Sequence, residues 1–369
     1  MKKFVFSLFA LFGMTSAVSA QSVTVSDVEA LPGETVNVTL NFECPADIYT
    51  GMQIAMQFPT GFSCSVAAED ALSGWNGLIP YEYKDGVLKY SAAGTKKYSE
   101  AAISVEFTIS SEVAVGDYKV TVSGQLEGPG EEGSITTEIT PVDFYVKVVS
   151  PVEVTLSENN TEDIEAVKYA IVTVERSIAA GNWSTICLPF AMTEDQVKSA
   201  FGEGVIVQDF IGYDYVSAED HIKVKFSPVT AMEANHPYII KVKDKIEKFV
   251  VDGVVSIEAS DEPIVKPEKG MEFSGVYKVG YLPKESLYIF DNKFYYAPKK
   301  NTVCMKAFRG YFEFDDFETS RSVTFFDEQT GINSITTLTD GEYYDLKGQR
   351  VENPSKGIYI KDGKKVVVK

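Results

Sequence analysis

The chain has 369 residues, with 34 Lys and Arg against 53 Asp and Glu, a formal net charge of −19 at neutral pH. So acidic a surface excludes nucleic acid as a partner, because duplex affinity comes largely from Lys and Arg neutralising phosphates. Two histidines and four cysteines (Cys44, Cys64, Cys187, Cys304), with no Cys-x-x-Cys spacing, leave too few ligands for a zinc site, and no cofactor motif is present.

Residues 1–20 have the three parts of a secretory signal peptide. Lys2 and Lys3 precede an apolar run from Phe4 to Met14, and Val18-Ser19-Ala20 supplies the small residues read by a signal peptidase. Cleavage is expected between Ala20 and Gln21. The apolar run is shorter than the roughly 20 residues a transmembrane helix needs, and no later segment approaches that length. Without the leader the balance becomes 32 basic against 53 acidic side chains, a net charge of −21. Export makes a Cys44–Cys64 disulfide around the second opening strand one reading; free buried thiols are the other.

Residues 21–149 read as strands. Val36, Val38, Leu40 and Phe42 alternate with polar residues, as do Met52, Ile54, Met56 and Phe58, so each strand has one face on a core and the other in water. Further strands are expected over Val23 to Val28, Val87 to Ser91, Ile103 to Ile109, Tyr118 to Val122 and Phe144 to Val149. Strands this regular, separated by turn residues, predict an all-β fold that opens with a jelly-roll β-sandwich.

The order Gly33-Glu34-Thr35-Val36, then Gly51-Met52-Gln53-Ile54 ending before Pro59, then Gly94, Ile103 to Ile109 and Gly116-Asp117-Tyr118-Lys119-Val120, resembles cohesin and the related carbohydrate-binding sandwich modules over residues 22–149. In cohesins such a sheet face holds a dockerin partner. No contacting residue can be matched to that role one by one.

Residues 150–165 turn polar and acidic, with Ser157-Glu158-Asn159-Asn160-Thr161-Glu162-Asp163 at their centre, and read as a linker. A second β-rich domain is expected over 166–328. It contains one short helix, Thr193 to Phe201, in which Thr193 and Gln196 form a capping box, Val197, Ala200 and Phe201 share a face, and Gly202 stops the chain. Strands are expected over Val205 to Phe210, Ile222 to Phe226, Tyr238 to Val242, Phe249 to Val251 and Val254 to Ile257. Leu287 to Phe290 should return through Asp291-Asn292 to Phe294-Tyr295-Tyr296 as a hairpin. Asn182-Trp183-Ser184-Thr185-Ile186-Cys187-Leu188-Pro189-Phe190, His236-Pro237-Tyr238-Ile239-Ile240 and Phe308-Arg309-Gly310-Tyr311-Phe312 resemble a module recurrent in secreted and surface proteins of Gram-negative anaerobes, over about residues 170–326. That resemblance implies a presentation domain without catalysis.

The last segment, 329–369, has strand-like runs around Lys347-Gly348 and Asp362-Gly363, a short C-terminal β-hairpin tail. From about residue 331 it resembles the sorting tail of the type IX secretion route, which implies sorting machinery as a partner and a cell-surface or extracellular destination in a Gram-negative bacterium. The alternative is a closing hairpin packed on the second domain.

His221 and His236 lie in no nucleophile-elbow or His-Glu-x-x-His pattern and read as surface residues. Carboxylate pairs such as Glu69 with Asp70 or Asp315 with Asp316 are too common in this chain to single out. Gly128 to Gly133 is an acidic turn that would repel phosphate. Trp75, Tyr81 and Tyr83 are the candidate ligand-binding residues, on a loop that could offer flat rings to a sugar or protein; their other reading is as a cover for one end of the core. Trp183 reads as core.

These observations favour an exported, non-enzymatic binding or adhesion protein whose partner is a polysaccharide or a surface protein. The alternatives are a carbohydrate-active enzyme or accessory subunit in polysaccharide degradation, and a structural surface or matrix component.

Overall fold

A computed structural model describes residues 22–43, 49–64, 72–73, 82–98, 100–130, 133–216, 221–258, 263–268, 270–297, 300–314, 322–326, 343–344, 350–351, 357–361 and 364–368. The chain divides between Pro151 and Val152 into two units, both built almost wholly of strands, as the alternating pattern predicts.

The first unit contains β1 (Ser22–Thr24), β2 (Val28–Ala30), β3 (Thr35–Glu43), β4 (Tyr49–Gln57), β5 (Phe62–Cys64), β6 (Leu72–Ser73), β7 (Glu82–Lys84), β8 (Val87–Tyr98), β9 (Glu100–Ile109), β10 (Gly116–Gly130) and β11 (Gly133–Val148). One sheet has the order β1-β3-β9-β5, with β6 also on β9; the other runs β2-β11-β10-β4-β8-β7. The two opening strands therefore lie in opposite sheets. Their inward residues Val38, Leu40 and Phe42 on β3, and Met52, Ile54 and Met56 on β4, enter one core with Leu88, Tyr90, Val105, Phe107, Val120, Phe144 and Val146. Each large apolar side chain buried there contributes about 1.5–3 kcal/mol.

Two strand boundaries differ from the sequence pattern. The single strand expected over Val23 to Val28 is split: β1 pairs antiparallel with β3 in one sheet, while β2 pairs parallel with β11 in the other. The chain crosses between sheets at Val25-Ser26-Asp27, and the Asp27 carboxylate accepts the Tyr145 amide at 2.7 Å. The second difference is length. β10 and β11 form one long hairpin from Gly116 to Val148, paired out to Gly130 and Gly133, with a bulge opposite Val122 and Gly124. Pro141 sits at that bulge, where no ladder hydrogen bond is required of it.

The second unit begins earlier than its composition suggests. It contains β12 (Val152–Ser157), β13 (Val167–Glu175), β14 (Trp183–Leu188), α1 (Glu194–Phe201), β15 (Ile206–Val216), β16 (His221–Val229), β17 (His236–Lys241), β18 (Phe249–Val250) and β19 (Val255–Ile257). These are followed by β20 (Ile264–Glu268), β21 (Met271–Val276), β22 (Gly280–Tyr281), β23 (Leu287–Phe290), β24 (Lys293–Tyr296), β25 (Cys304–Met305), β26 (Arg309–Phe314) and β27 (Ser322–Phe326). The stretch read as a linker is thus in part a strand: β12 pairs in parallel with β13 from Val152–Ala170 to Ser157–Glu175. The polar residues after it are anchored as well. Asn160 Nδ2 donates to the Tyr277 carbonyl at 2.7 Å, and the Asn160 carbonyl accepts from Val279.

A middle sheet, β14-β17-β15-β16-β27, separates two cores, with β12-β13-β18 and β19 on one side and β20-β21-β26-β23-β24 on the other. Ile186, Leu188, Tyr238 and Ile240 enter the first core, with Val172, Val174, Phe190 and Phe249. Phe210, Ile239, Phe273, Leu287 and Phe312 form the second. A sheet covered on both faces explains the unbroken apolar runs Thr185-Ile186-Cys187-Leu188 and Pro237-Tyr238-Ile239-Ile240. Trp183 is half-buried against the second core. At the crossing of β14 and β21, a Cβ on Gly275 would stand 2.4 Å from Cys187 Sγ, so only glycine fits there.

The helix has the expected caps. Thr193 Oγ1 accepts from Gln196 N at 3.3 Å, the Gln196 side chain accepts from Thr193 N at 2.9 Å, and Val197 and Phe201 are buried. The β23–β24 hairpin also forms as expected, with Asp291 at φ 46° and Asn292 at φ 60°, the left-handed pair a two-residue turn requires.

The tail differs from a single hairpin. Its strands β28 (Tyr343–Tyr344), β29 (Arg350–Val351), β30 (Gly357–Lys361) and β31 (Lys364–Val368) form a sheet of order β29-β28-β30-β31: two hairpins joined by pairing of β28 with β30.

Candidate binding face of the first unit

The outward face of the six-stranded sheet follows from its register. With Met52, Ile54 and Met56 facing the core, β4 turns Gln53, Ala55 and Gln57 outward, and Gly51, itself buried, continues that row. Gly51 stands opposite Ala93 on β8 and Glu127 on β10; Gln53 opposite Ser91 and Gln125; Ala55 opposite Lys89 and Ser123; Gln57 opposite Val87 and Thr121. The middle of this face is therefore low. Gly51, Ala55, Ser91, Ala93 and Ser123 rise little above the backbone, and the longer Gln53, Lys89, Gln125 and Glu127 stand beside them.

Polar groups around this low centre are held by one another. Gln53 Nε2 donates to Glu127 Oε1 at 3.1 Å and Gln125 Nε2 donates to the same oxygen at 2.9 Å. Toward β11, Thr121 Oγ1 donates to Asp143 Oδ1 at 2.7 Å and Lys119 Nζ pairs with Oδ2 at 3.2 Å. The Thr121 hydrogen bond and then that of Lys119 hold the Asp143 carboxyl below its ordinary value. At the edge, Lys147 Nζ meets Glu29 Oε1 at 2.8 Å, and that hydrogen bond raises the ammonium above its ordinary value. Both signs of charge alternate around a neutral centre.

The other sheet offers a different surface. Thr35, Asn37, Thr39 and Asn41 of β3 face solvent beside Thr108, Glu106, Ser104 and Ala102 of β9, and Thr35 Oγ1 is 2.9 Å from Thr108 Oγ1. This is a row of mostly short polar residues, with Glu106 the longest among them.

Of the three aromatic candidates, Tyr83 has a structural place. Its hydroxyl donates to the Phe62 carbonyl at 2.6 Å and its ring meets Phe58 edge-on at 6.4 Å. Burial, with a smaller contribution from Cys64, raises its phenol above the ordinary value. Tyr83 closes one end of the core. Trp75 and Tyr81 lie outside the described residues, as do the signal-cleavage residues Ala20 and Gln21. Cys64 is a free, half-buried thiol that burial pushes up to about 12; its expected partner Cys44 lies outside the described residues.

The remaining chemistry lies in the second unit. His236 is not a free surface residue: Nε2 is 2.7 Å from Asp209 Oδ1, and its ring lies 4.5 Å from that of Tyr238. Asp209, on the adjacent strand β15, holds the imidazole in a polar pair. His221 Nε2 is 2.8 Å from Thr324 Oγ1. The acidic pairs Glu69–Asp70 and Asp315–Asp316 lie outside the described residues. Among the described residues no group of three or more His, Cys, Asp or Glu is placed to hold a metal, and no helix is long and apolar enough to cross a membrane.

Sequence reading did not find the charged cluster around Arg176. Glu158 is almost buried and accepts from Lys306 Nζ and Arg309 Nη2, each at 2.5 Å. Burial raises the Glu158 carboxyl, but the Lys306 hydrogen bond, the Arg309 charge and the Ser177 amide outweigh it and leave the group below its ordinary value. Arg176 is fully buried. Its Nη2 donates to the Thr185 carbonyl, and its Nε and Nη1 have no hydrogen-bond partner among the described residues. A lone arginine between two strands gives no sequence signal of burial.

No protein-family model matches the chain, and no curated protein matches it. Among solved structures it is similar to the seventh ScaB type I cohesin from Pseudobacteroides cellulosolvens, at 16% identity and a TM-score of 0.29, over 36% of this chain and 95% of that one. A non-cellulosomal cohesin from Archaeoglobus fulgidus is matched at 12% identity and a TM-score of 0.28, over 36% and 92%. The cohesin module of a family 33 glycoside hydrolase from Clostridium perfringens is matched at 13% identity and a TM-score of 0.29, over 36% and 98%.

Proposed function

We propose that this is an exported, non-enzymatic binding protein whose first unit docks a protein partner on the outward face of β10-β4-β8, with the C-terminal tail directing it to the cell surface or the medium. The observation that supports this reading is the low, neutral centre at Gly51, Ala55, Ser91, Ala93 and Ser123, framed by polar side chains already fixed to one another. Small residues let a partner's helix or strand come close to the sheet. The frame loses little entropy on binding, because Gln53, Gln125, Thr121 and Lys119 are hydrogen-bonded beforehand. The three strands β10-β4-β8, about 4.8 Å apart and paired over about seven residues, give a strip of roughly 15 by 20 Å. A partner would therefore also cover the flanking β11 to approach the ~800 Å² that one side contributes to a stable interface. Alternating charges at the rim would select the partner and its orientation.

The test uses the mature full-length chain as bait for surface and secreted proteins of the source cells, beside the double variant Ala55→Arg, Ser123→Arg. A partner retained by the native chain and lost by the variant, with unfolding temperature unchanged, is the expected result. Equal retention by both would overturn the docking face, and hydrolysis of a polysaccharide by the mature chain would overturn the non-enzymatic reading.

A further inference from the structure

The β23–β24 hairpin lays Leu287, Ile289, Phe294 and Tyr296 on the second core of its unit. The alternate positions face outward: Tyr288 directly opposite Tyr295, and Phe290 opposite Lys293. Phe290 is 66% exposed and Tyr295 39% exposed. The Tyr288 and Tyr295 rings stack with centroids 5.8 Å apart and planes 26° apart, and Phe290 meets Tyr295 edge-on at 6.1 Å. The result is a continuous aromatic platform on one face of an edge hairpin. Three rings placed outward, on strands whose inward residues already satisfy the core, are not needed for folding.

The platform is rigid. Its turn is tied to β14 by Asn292 Oδ1, which accepts from Trp183 N at 2.7 Å, and by Asn292 Nδ2, which donates to Asn182 Oδ1 at 2.9 Å. Ring exposure sets the size of the occupant: at 150–250 Å² for a whole aromatic side chain, the three offer roughly 250 Å². That is well short of the ~800 Å² a folded partner or a second copy would bury on each side. It suits two or three sugar rings, whose C–H faces pack on aromatic rings while their hydroxyls meet the phenols of Tyr288 and Tyr295 and the ammonium of Lys293. The net charge of −21 on the chain without its leader disfavours uronate-bearing or sulfated polymers. We propose that the Tyr288–Phe290–Tyr295 platform binds a neutral polysaccharide chain, a site separate from the docking face of the first unit.

The experiment is affinity electrophoresis of the mature full-length chain in gels containing a neutral β-glucan, xylan, mannan or starch, with polygalacturonate as the acidic comparison. Retardation by at least one neutral polymer is expected, weakened at least tenfold in Phe290→Ala and Tyr295→Ala, and unaffected by Ala55→Arg with Ser123→Arg. Thermal unfolding of each variant establishes that it folds. The proposal is overturned by retardation in polygalacturonate alone, by no retardation in any neutral polymer, by equal retardation of the native chain and both alanine variants, or by self-association in sedimentation that those variants abolish.

Discussion

Replacing Glu158 by glutamine would keep the shape of the side chain and remove its charge. In the native unit Glu158 accepts from Lys306 and Arg309 at 2.5 Å and is the carboxylate beside the fully buried Arg176. Removing one partner of a buried pair costs about 3–5 kcal/mol, because the other charge is left without compensation. Lys306 is about half exposed and its share is screened by water, so the expected loss lies at the lower end, about 3 kcal/mol. For a unit of this size that lowers the unfolding temperature by roughly 6–12 °C, read by calorimetry on the mature chain. The pH dependence is a second readout. Because the folded Glu158 carboxyl lies below its ordinary value, its contribution is complete above the unfolded carboxylate value of about 4.3 and is lost as pH falls through the folded value. The native chain and Glu158→Gln should therefore converge in acid. A loss under about 1 kcal/mol at pH 7, or a gap that does not narrow as pH falls from neutrality into strong acid, would refute the role given to this carboxylate.

Gly275→Ala should destabilise the second unit by about 1–3 kcal/mol through overpacking, since its Cβ would stand 2.4 Å from Cys187 Sγ; adding Cys187→Ala should recover part of the loss in urea unfolding. In alkylation followed by peptide mass spectrometry, exposed Cys304 should react in the native chain. Cys187, buried and pushed up to about 12 by burial, should react only after unfolding, and equal rates would contradict its place beneath Gly275. Thr193→Ala should cost about 1 kcal/mol by removing the helix cap, measured by thermal unfolding. Deleting residues 331–369 should leave the protein in the periplasm with both units folded; surface display equal to that of the intact chain, measured by protease shaving, would remove the tail from sorting.

The legible parts of this fold are those decided by local chemistry. Thr193, Gln196 and Gly202 specify a helix from both ends within ten residues, and Asp291-Asn292 between apolar runs specifies a hairpin, so both were readable. β12 was not, because its short run Val152 to Ser157 passes straight into the polar, acidic Ser157 to Asp163. Glu158 and Asn160 there look solvated in sequence, yet they are held in part by Arg309, Tyr277 and Val279, more than a hundred residues away. The split at Val25 to Asp27 escaped for a related reason: the apolar pattern continues through the crossing, and only pairing shows that Val23 and Val28 serve different sheets. The docking face was equally hidden, since Gly51, Ala55, Ser91 and Ser123 are unremarkable until register sets them side by side. The Tyr288–Tyr295 platform could have been found by asking which hairpin residues remain once the inward positions are assigned.

The parallel pairing of β2 with β11 also fixes how the first unit bears tension. A pull drawn along the backbone, once past β1, enters β2 at its leading end and leaves β11 at its trailing end, and in a parallel pair these are opposite ends. The pairs Val28–Val146, Glu29–Lys147 and Ala30–Val148, reinforced by the Lys147–Glu29 bridge, are then loaded in shear and must yield together, whereas an antiparallel closing pair would peel open one rung at a time.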